Sequence, residues 1–458
     1  MNKLPKWLGW TLKVIWWMCL IPISLVVLAV LTGWVGDLTA SAKWEAGRKR
    51  AEERIQNLKT LEFSSGYAFA VNEANAWDYY LKSSAPLDSL GNRKLDSLVF
   101  NTPFNPKEAS KLLSQYKKEI TLWDSGACSR YCRIELEYEK GLEAPIPNYA
   151  GIQKMFKLVL LKGRMEVALG QVQQGAVTYS KALKIAMDIS GGSETLLNRM
   201  VGIVAGKLAL RIIAGDISRF DRSSVLQLQD ALKMAEKGWP PTYPSINMEA
   251  WDVYSFSNDD WDKIWNGSRF ITSPLLGFLS RVRYSLLSWK HFFSLKRDML
   301  SYCGLMRKLT EEAAQSKDKP WSCLAPVLKQ NEEYTKKATK GEVFAAIAMP
   351  NFWNFFRREY EFRMGLRVLK DALILREYSL KNGKYPAKLD QAVKDSPENN
   401  DIADGLPLKY FINQDKSVWL YSVGLNLADD GGKNFVLSEG ITRSTINEAQ
   451  DDIGIKLE

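Results

Sequence analysis

VIWWMCLIPISLVVLAVLTGWVG, residues 14–36, carries no charged side chain between Lys13 and Asp37 and is the only segment of its kind in the chain. As a helix, its 23 residues extend about 34 Å at roughly 1.5 Å each, enough to cross the ~30 Å hydrocarbon core of a bilayer. Amphipathic rings collect at membrane interfaces, and six tryptophans flank or end this stretch: Trp7, Trp10, Trp16, Trp17, Trp34 and Trp44. The segment predicts one transmembrane helix that contacts the lipid bilayer through residues 14–36.

The residues before this segment predict which side of the membrane each end faces. The head carries Lys3, Lys6 and Lys13 and no acid, as in the first part of an export signal. We therefore expect an uncleaved signal-anchor with a cytoplasmic head and an exported body. Cleavage after the small residues 40–42 is one alternative. A cytoplasmic body is another, because the positive-inside rule also counts the basic residues that follow the span: Lys43, Arg48, Lys49, Arg50 and Arg54.

The composition is that of a globular protein with an uneven charge. A chain of 458 residues with 46% hydrophobic and 25% charged residues is too long for one core and excludes a disordered chain or a multi-span transporter. Of the net charge of +10, residues 381–458 hold 9 Lys/Arg and 13 Asp/Glu, or −4, which leaves +14 for the rest. A basic body beside a bilayer favours attraction to anionic headgroups, and we expect no nucleic-acid partner.

The cysteine spacing allows two short disulfide loops. Cys19 lies inside the apolar segment, and the other four cysteines form two pairs that are close in sequence. In an oxidising compartment we expect Cys128 to pair with Cys132 and Cys303 with Cys323, with free thiols as the alternative. These spacings, with one histidine in the chain, are poor for zinc.

The region after the apolar segment, residues 37–147, reads as a stalk helix followed by a mixed α/β part. Residues 42–61 are polar and charged and predict a helix that continues from the membrane. Between Cys132 and Tyr138, apolar and charged residues alternate. A period of two with one apolar face indicates a half-buried strand.

Residues 148–380 follow a helical pattern. Asn148 is suited to cap a helix, and apolar residues recur at helical spacing in 152–160 and 176–186. The apolar stretch Leu196–Ala214 contains Asn198, Arg199, Lys207 and Arg211, which indicate a buried helix rather than a second membrane span. Trp239-Pro240-Pro241 predicts a linker, and a last long helix is expected over residues 351–381. The sequence predicts a mainly α protein: an N-terminal transmembrane helix (1–36), the region 37–147, a helical bundle or short solenoid (148–380), and a small α+β module (381–458).

The C-terminal segment carries the most specific motifs. It contains a helix, a Gly-Lys-Tyr-Pro turn, a short helix and strands that end in YSVG-x-N-x-x-DDGG, with D-I-G near the end. In these residues it resembles the C-terminal half of the major pseudopilin of type II secretion, whose closing loop binds calcium. The resemblance implies a Ca²⁺ site at Asp429, Asp430 and Asp452, and calcium prefers such hard oxygen ligands. The alternative is a Gly/Asp turn bonded to its own backbone. The prepilin cleavage site of that family is absent from residues 1–36.

The whole layout resembles a family of single-anchor bacterial membrane proteins common in planctomycetes. The resemblance is carried by LLKGRMEVALGQVQQGAVTYSKALKIA (160–186), LLNRMVGIVAGKLAL (196–210) and the YP…PLKY…LYSVG ending. It implies an anchor in the bacterial inner membrane with a periplasmic body, and it implies no activity.

The sequence offers no catalytic motif. The only histidine, His291, lies in WKHFF within an expected helix, and the chain lacks G-x-S-x-G, H-E-x-x-H and G-x-G-x-x-G. We therefore expect a binding or scaffolding role at the cell envelope, with other envelope proteins as partners, and no enzyme. The alternatives are an envelope hydrolase that uses paired carboxylates and an accessory component of a secretion system.

Overall fold

The structure is a computed structural model of the full chain. It describes residues 6–60, 74–101, 103–137, 145–254, 294–315, 319–338, 352–394, 398–432, 435–437 and 452–458, with the single residues 140, 282, 287 and 344.

Helices make up most of the described residues, as the sequence predicts. Their bounds are α1 (Lys6–Thr60), α2 (Ala76–Ser84), α3 (Asn92–Phe100), α4 (Pro106–Gln115), α5 (Lys117–Cys128), α6 (Tyr149–Ala168), α7 (Val172–Gly191), α8 (Leu196–Asp216), α9 (Arg222–Gly238), α10 (Tyr243–Tyr254), α11 (Leu295–Gln315), α12 (Trp321–Ala338) and α13 (Phe352–Asn382). The strands are β1 (Lys409–Ile412), β2 (Val418–Ser422), β3 (Phe435–Val436) and β4 (Ile453–Leu457).

The apolar segment lies within α1, which is the one helix of the described residues that is long and apolar enough to cross a membrane. Most of its large apolar side chains are exposed, as expected for groups that face lipid. The exposed side chains are Trp16, Trp17, Met18, Ile21, Ile23, Leu25, Val27, Leu28, Leu31, Trp34, Val35 and Leu38.

The part of α1 beyond the apolar segment packs against the body, which corrects the predicted stalk. Its buried positions recur every three or four residues, as on one helical face: Asp37, Ala40, Trp44, Gly47 and Ala51. The same face continues back into the apolar segment at Ala29, Gly33 and Gly36. This face contacts α10 and α11. Asp37 Oδ1 accepts hydrogen bonds from Ser294 Oγ (2.8 Å) and from the Lys296 N–H (2.9 Å), so it caps the start of α11. Packing of α1 on the body therefore begins no later than the end of the apolar segment.

The predicted strand at 132–138 is wrong. Residues 132–137 form an extended segment that pairs with no strand of the described chain. The Ile134 N–H donates to the Gly192 carbonyl (2.7 Å), and Asn75 exchanges two hydrogen bonds with the backbone of Arg133. The alternating pattern reflects burial of Ile134 between helix ends, while Glu135 is exposed. Residues 76–128 form helices α2 to α5 with short connections, and this range contains no strand of the predicted β part among its described residues.

The helical predictions for the central region are confirmed. Helices α6, α7, α8 and α9 pack on one another and on α13 around one apolar core. Asn148 caps α6 by accepting the Gly151 N–H at 3.0 Å. The stretch predicted as a buried helix is α8, where Asn198 and Arg199 are buried and the Lys207 ammonium is bonded to Glu361.

The C-terminal module is a small sheet packed on α13. The strand order is β1-β2-β4-β3, with antiparallel β1–β2 and β2–β4 pairs and a parallel β3–β4 pair. All five residues of β2 are buried. Asp401 joins this sheet to the preceding loop by accepting hydrogen bonds from Ser422 Oγ (2.8 Å) and the Val423 N–H (3.0 Å). That loop is therefore held at a fixed position beside α13.

Candidate ligand cleft

A cleft of about 330 Å³ lies where the α9–α10 linker, α13 and the 398–402 loop meet, with α11 and α12 at its side. We call it the aromatic cleft. Its volume is that of a small-molecule site or of one large side chain with its flanking backbone. Five aromatic residues line it: Trp239, Tyr243, Phe356, Tyr360 and Phe362.

The two-proline linker forms one wall of the cleft. Pro240 and Pro241 follow the end of α9 and hold the backbone in an extended form between two helices. The buried Arg199 on α8 donates hydrogen bonds to the Pro241 carbonyl and to Ser190 Oγ. The bond to Pro241 holds the linker against α8. Thr242 donates to Glu359 on α13, which closes the linker against that helix. The wall is therefore fixed at both ends.

The aromatic rings are packed in pairs that are already formed. Trp239 lies against Phe362 with ring centroids 4.4 Å apart. Behind the cleft, Trp321 contacts Tyr360 at 5.1 Å, and its indole N–H donates to the Leu425 carbonyl at 3.0 Å. The C-terminal module thus sets the position of the aromatic wall. The Trp239 Nε1 donor is buried without an acceptor among the described residues, a rare condition that marks a place where an acceptor is missing.

A network of buried charges fixes the opposite wall. Glu236 on α9 accepts from Arg367 Nε (2.6 Å) and Lys370 Nζ (2.9 Å), both on α13. The same two cations also donate to backbone carbonyls of the C-terminal loop, Arg367 to Asn400 and Lys370 to Glu398 at 3.0 Å. Because buried charges are costly unless paired and bonded, this network ties α9, α13 and the loop together.

Asp371 stands next to this network and is completely buried. Neither of its carboxylate oxygens has a partner among the described residues. Burial raises the pKa of the Asp371 carboxyl to about 7, and the nearby Lys370 ammonium and Arg367 guanidinium act against that rise. It is therefore the group near the cleft whose protonation responds to neutral pH.

The mouth of the cleft carries polar and aromatic groups that face solvent. Tyr243 and Lys237 are exposed there, and the Arg363 guanidinium lies over the Tyr360 ring at 5.2 Å from its centroid. The cleft therefore has an apolar interior and a polar rim. The carboxylates Glu236 and Glu359 already bond to side chains of the protein.

Two of the predicted calcium ligands, Asp429 and Asp430, lie in one turn, and the third, Asp452, directly precedes β4 and bonds to that turn. Asp452 Oδ2 accepts the N–H groups of Asp430 and Gly432, each at 2.8 Å, and Asp429 accepts from Tyr421 and Gly431. Gly432 has a φ of +75°, and a Cβ there would meet the Tyr421 ring at 2.5 Å.

This turn does not fit calcium as it stands. A calcium ion needs six to eight oxygens that point at it, whereas these carboxylates point at N–H and O–H donors. Among the described residues no group of three His, Cys, Asp or Glu could hold a metal ion. Asp452 Oδ1 is the one buried oxygen of the turn without a described partner. The geometry is that of the alternative, a Gly/Asp turn, and Ca²⁺ binding stays a prediction.

The four body cysteines are free thiols in this structure, so the predicted disulfides are not formed. Cys303 is buried in α11, its thiol donates to the Ala250 carbonyl, and burial raises its pKa to about 12. Cys323 is exposed in the first turn of α12, and Cys128 is exposed at the end of α5. Cys132 is half-buried in the extended segment. Cys303 and Cys323 are close in sequence but lie in different helices with different surroundings.

The cleft was not predicted from the sequence. Its residues come from α9, the linker, α11, α12, α13 and the C-terminal loop, which are far apart along the chain. The sequence contained one signal for it. In the last long helix, the charged residues Arg367, Lys370 and Asp371 lie among apolar residues of a buried face. His291 lies outside the described residues. So do the adjacent acids at positions 259 and 260, one of the carboxylate pairs that the hydrolase alternative could use.

Comparisons with models of protein families, with curated proteins and with solved structures find no match to this chain. The two resemblances drawn from the C-terminal motifs and from the layout therefore stay predictions. The function has to be argued from the anchor helix and the cleft.

Proposed function

We propose that this chain is a single-pass, membrane-anchored binding protein of the bacterial envelope, and that the aromatic cleft takes an aromatic or branched apolar side chain of a partner polypeptide. The observation that carries the proposal is a preformed cleft whose walls are fixed by bonds from α8, α9 and the C-terminal loop. A fixed apolar cavity binds a side chain without the cost of ordering its own walls.

The donors and acceptors of the cleft support binding of a polypeptide. The buried Trp239 N–H has no acceptor among the described residues, and a backbone carbonyl of a partner that reaches it is a suitable one. The rings of Phe356, Tyr360 and Phe362 offer the area that an apolar side chain buries. The cleft is therefore suited to a scaffolding role in which an envelope protein inserts one side chain.

The same bonds argue against hydrolysis by paired carboxylates. Glu236 accepts from two cations and Glu359 accepts from Thr242, so both acids serve the walls of the cleft. A glycosidase needs one carboxyl that holds a proton for the leaving group and a second one free to act on the sugar or on water. A binding site needs neither of these conditions, so the bonded carboxylates favour binding over hydrolysis.

The location belongs to the same proposal. Helix α1 is the candidate span, and the acid-free head supports a body outside the cytoplasm, in the periplasm of a bacterial inner-membrane protein. The aromatic cleft then faces the envelope space, where it meets other envelope proteins.

Filling the cleft tests the binding proposal. Ala313 is buried at the edge of the cleft, and its neighbour Ala314 is exposed on the same helix. The full chain in lipid nanodiscs is titrated with N-acetyl-5-fluorotryptophanamide, and fluorine NMR line broadening reports binding. We expect A313F to weaken binding about tenfold, because the added ring removes much of the cavity, and A314F to leave it unchanged. Equal binding by both variants would contradict the proposal.

A further inference from the structure

A second cavity, the basic groove, lies between α1, α10 and α11 and has a volume of about 750 Å³. It is distinct from the aromatic cleft and shares no residue with it. Gly304 lines the groove, and a Cβ added there would meet nothing within 4 Å, so the space above this residue is open. The groove is therefore an open channel along the first turns of α1 beyond the apolar segment.

The groove is strongly basic. Lys43, Arg50, Arg297 and Arg307 line it, and its described lining residues include no Asp or Glu. Two aromatic residues, Trp251 and Tyr254, also line it. Four cations on one channel create a positive potential that favours an anionic group.

The cations converge from two helices. Lys43 and Arg50 line the groove from α1, and Arg297 and Arg307 line it from α11. Arg297 donates to Thr39 on α1 at 2.7 Å, which directs it along the same channel. Guanidinium groups from two sides suit a tetrahedral anion such as a phosphate.

The position of the groove along α1 points to the membrane surface. The apolar segment ends at Gly36, and Thr39 and Arg50 follow it by 3 and 14 residues. At roughly 1.5 Å per residue, the groove covers a distance from about 5 to about 21 Å beyond the hydrocarbon boundary. The headgroup layer is about 5–7 Å thick on each side, so the near end of the groove opens at that depth.

We propose that the basic groove binds the phosphate of an anionic phospholipid headgroup at its membrane end, with Lys43 on α1 and Arg297 on α11 as its principal ligands. The inference rests on the membrane-spanning role proposed for α1 and adds a specific lipid contact to it. A bound headgroup would join α1 to α11 across the groove, so the body would be held in a fixed orientation on the bilayer.

Charge removal inside and beside the groove tests the proposal. The variant K43Q/R297Q removes the two groove cations at the membrane end, and K49Q/K308Q removes two neighbouring cations that are exposed outside the groove. The full chain in detergent micelles is titrated with dioctanoyl-phosphatidylglycerol, dioctanoyl-phosphatidylcholine and inorganic phosphate, and native mass spectrometry counts the adducts. Soluble short-chain lipids keep this measurement independent of membrane insertion, which alkaline extraction of membranes tests separately.

We expect the chain to bind the glycerol lipid at least tenfold more tightly than the choline lipid and than inorganic phosphate. K43Q/R297Q should lose about tenfold of that affinity, and K49Q/K308Q less than twofold. Equal losses in the two variants would show a general effect of charge and overturn the proposal. Equal binding of the two lipids would overturn it as well, and tighter binding of inorganic phosphate would replace the lipid by a soluble anion.

Discussion

Asp371, next to the charged wall of the cleft, makes the stability of the folded chain depend on pH. Its carboxyl is completely buried, both oxygens are unpartnered among the described residues, and burial raises its pKa to about 7. In the unfolded chain the carboxyl has its ordinary pKa near 4, so between about pH 4 and pH 7 the folded chain holds a proton that the unfolded chain has lost. The stability that the protonated form contributes is therefore lost as the pH rises through this window.

Substitution of Asp371 by Asn should remove this dependence. As the pH is raised from about 5 to about 8, we expect the natural chain to lose about 2 kcal/mol of unfolding free energy relative to D371N. The reason is that the amide of D371N never has to ionise in the core. Urea unfolding of the full chain in detergent at the two pH values measures this. The control is D230N, an exposed acid on α9 whose substitution should leave the pH dependence as it is. A D371N variant that is less stable than the natural chain at the higher pH would contradict the assignment.

Helix α1 joins the membrane segment to the body through a face of small residues. A Cβ at Gly47 would lie 2.3 Å from the Tyr254 ring, and a Cβ at Gly36 would lie 2.5 Å from Ser294 Cβ. The close approach allows α10 and α11 to pack directly on α1, and Asp37 caps α11 from the same face. The packing of this helix on the body therefore depends on residues that have no side chain.

A substitution of Gly47 by Ala separates packing from helix propensity. Alanine favours a helix over glycine by about 1 kcal/mol, but here the added methyl group overlaps the Tyr254 ring. We expect G47A to destabilise the full chain by about 1–3 kcal/mol in urea unfolding. The matched control is G304A, a helical position with open space, which should stabilise by up to about 1 kcal/mol. If both variants stabilise equally, α1 does not pack on α10 as described.

The elements that the sequence predicts well are those whose pattern is local. Helices α6, α7 and α8 follow from apolar spacing, and the charged residues of α8 correctly argued for burial in the protein. The strand at 132–138 failed because its backbone partners, Asn75 and Gly192, are distant in sequence and lie at helix ends. The stalk failed because glycine and alanine on a polar helix give a weak apolar signal. The cleft depends on contacts among six elements, and no local pattern reports such contacts.

In the proposed arrangement, the two candidate sites lie at different distances from the membrane. The basic groove lies beside α1 at the end of the apolar segment, and the aromatic cleft lies at the junction of α13 and the C-terminal loop. This arrangement suits a protein held on the bilayer that offers a cleft to partners in the surrounding space. The orientation of the body relative to the membrane is therefore the central claim.

Labelling of the exposed thiols tests that claim most directly. Cys128 and Cys323 are exposed, whereas Cys303 is buried and Cys19 lies in the apolar helix. Spheroplasts that carry the full chain are treated with a membrane-impermeant maleimide before and after permeabilisation, with C128S/C323S as the control. We predict labelling of intact spheroplasts without reductant, and its loss in the control variant. Labelling that requires permeabilisation would place the body in the cytoplasm and contradict the account.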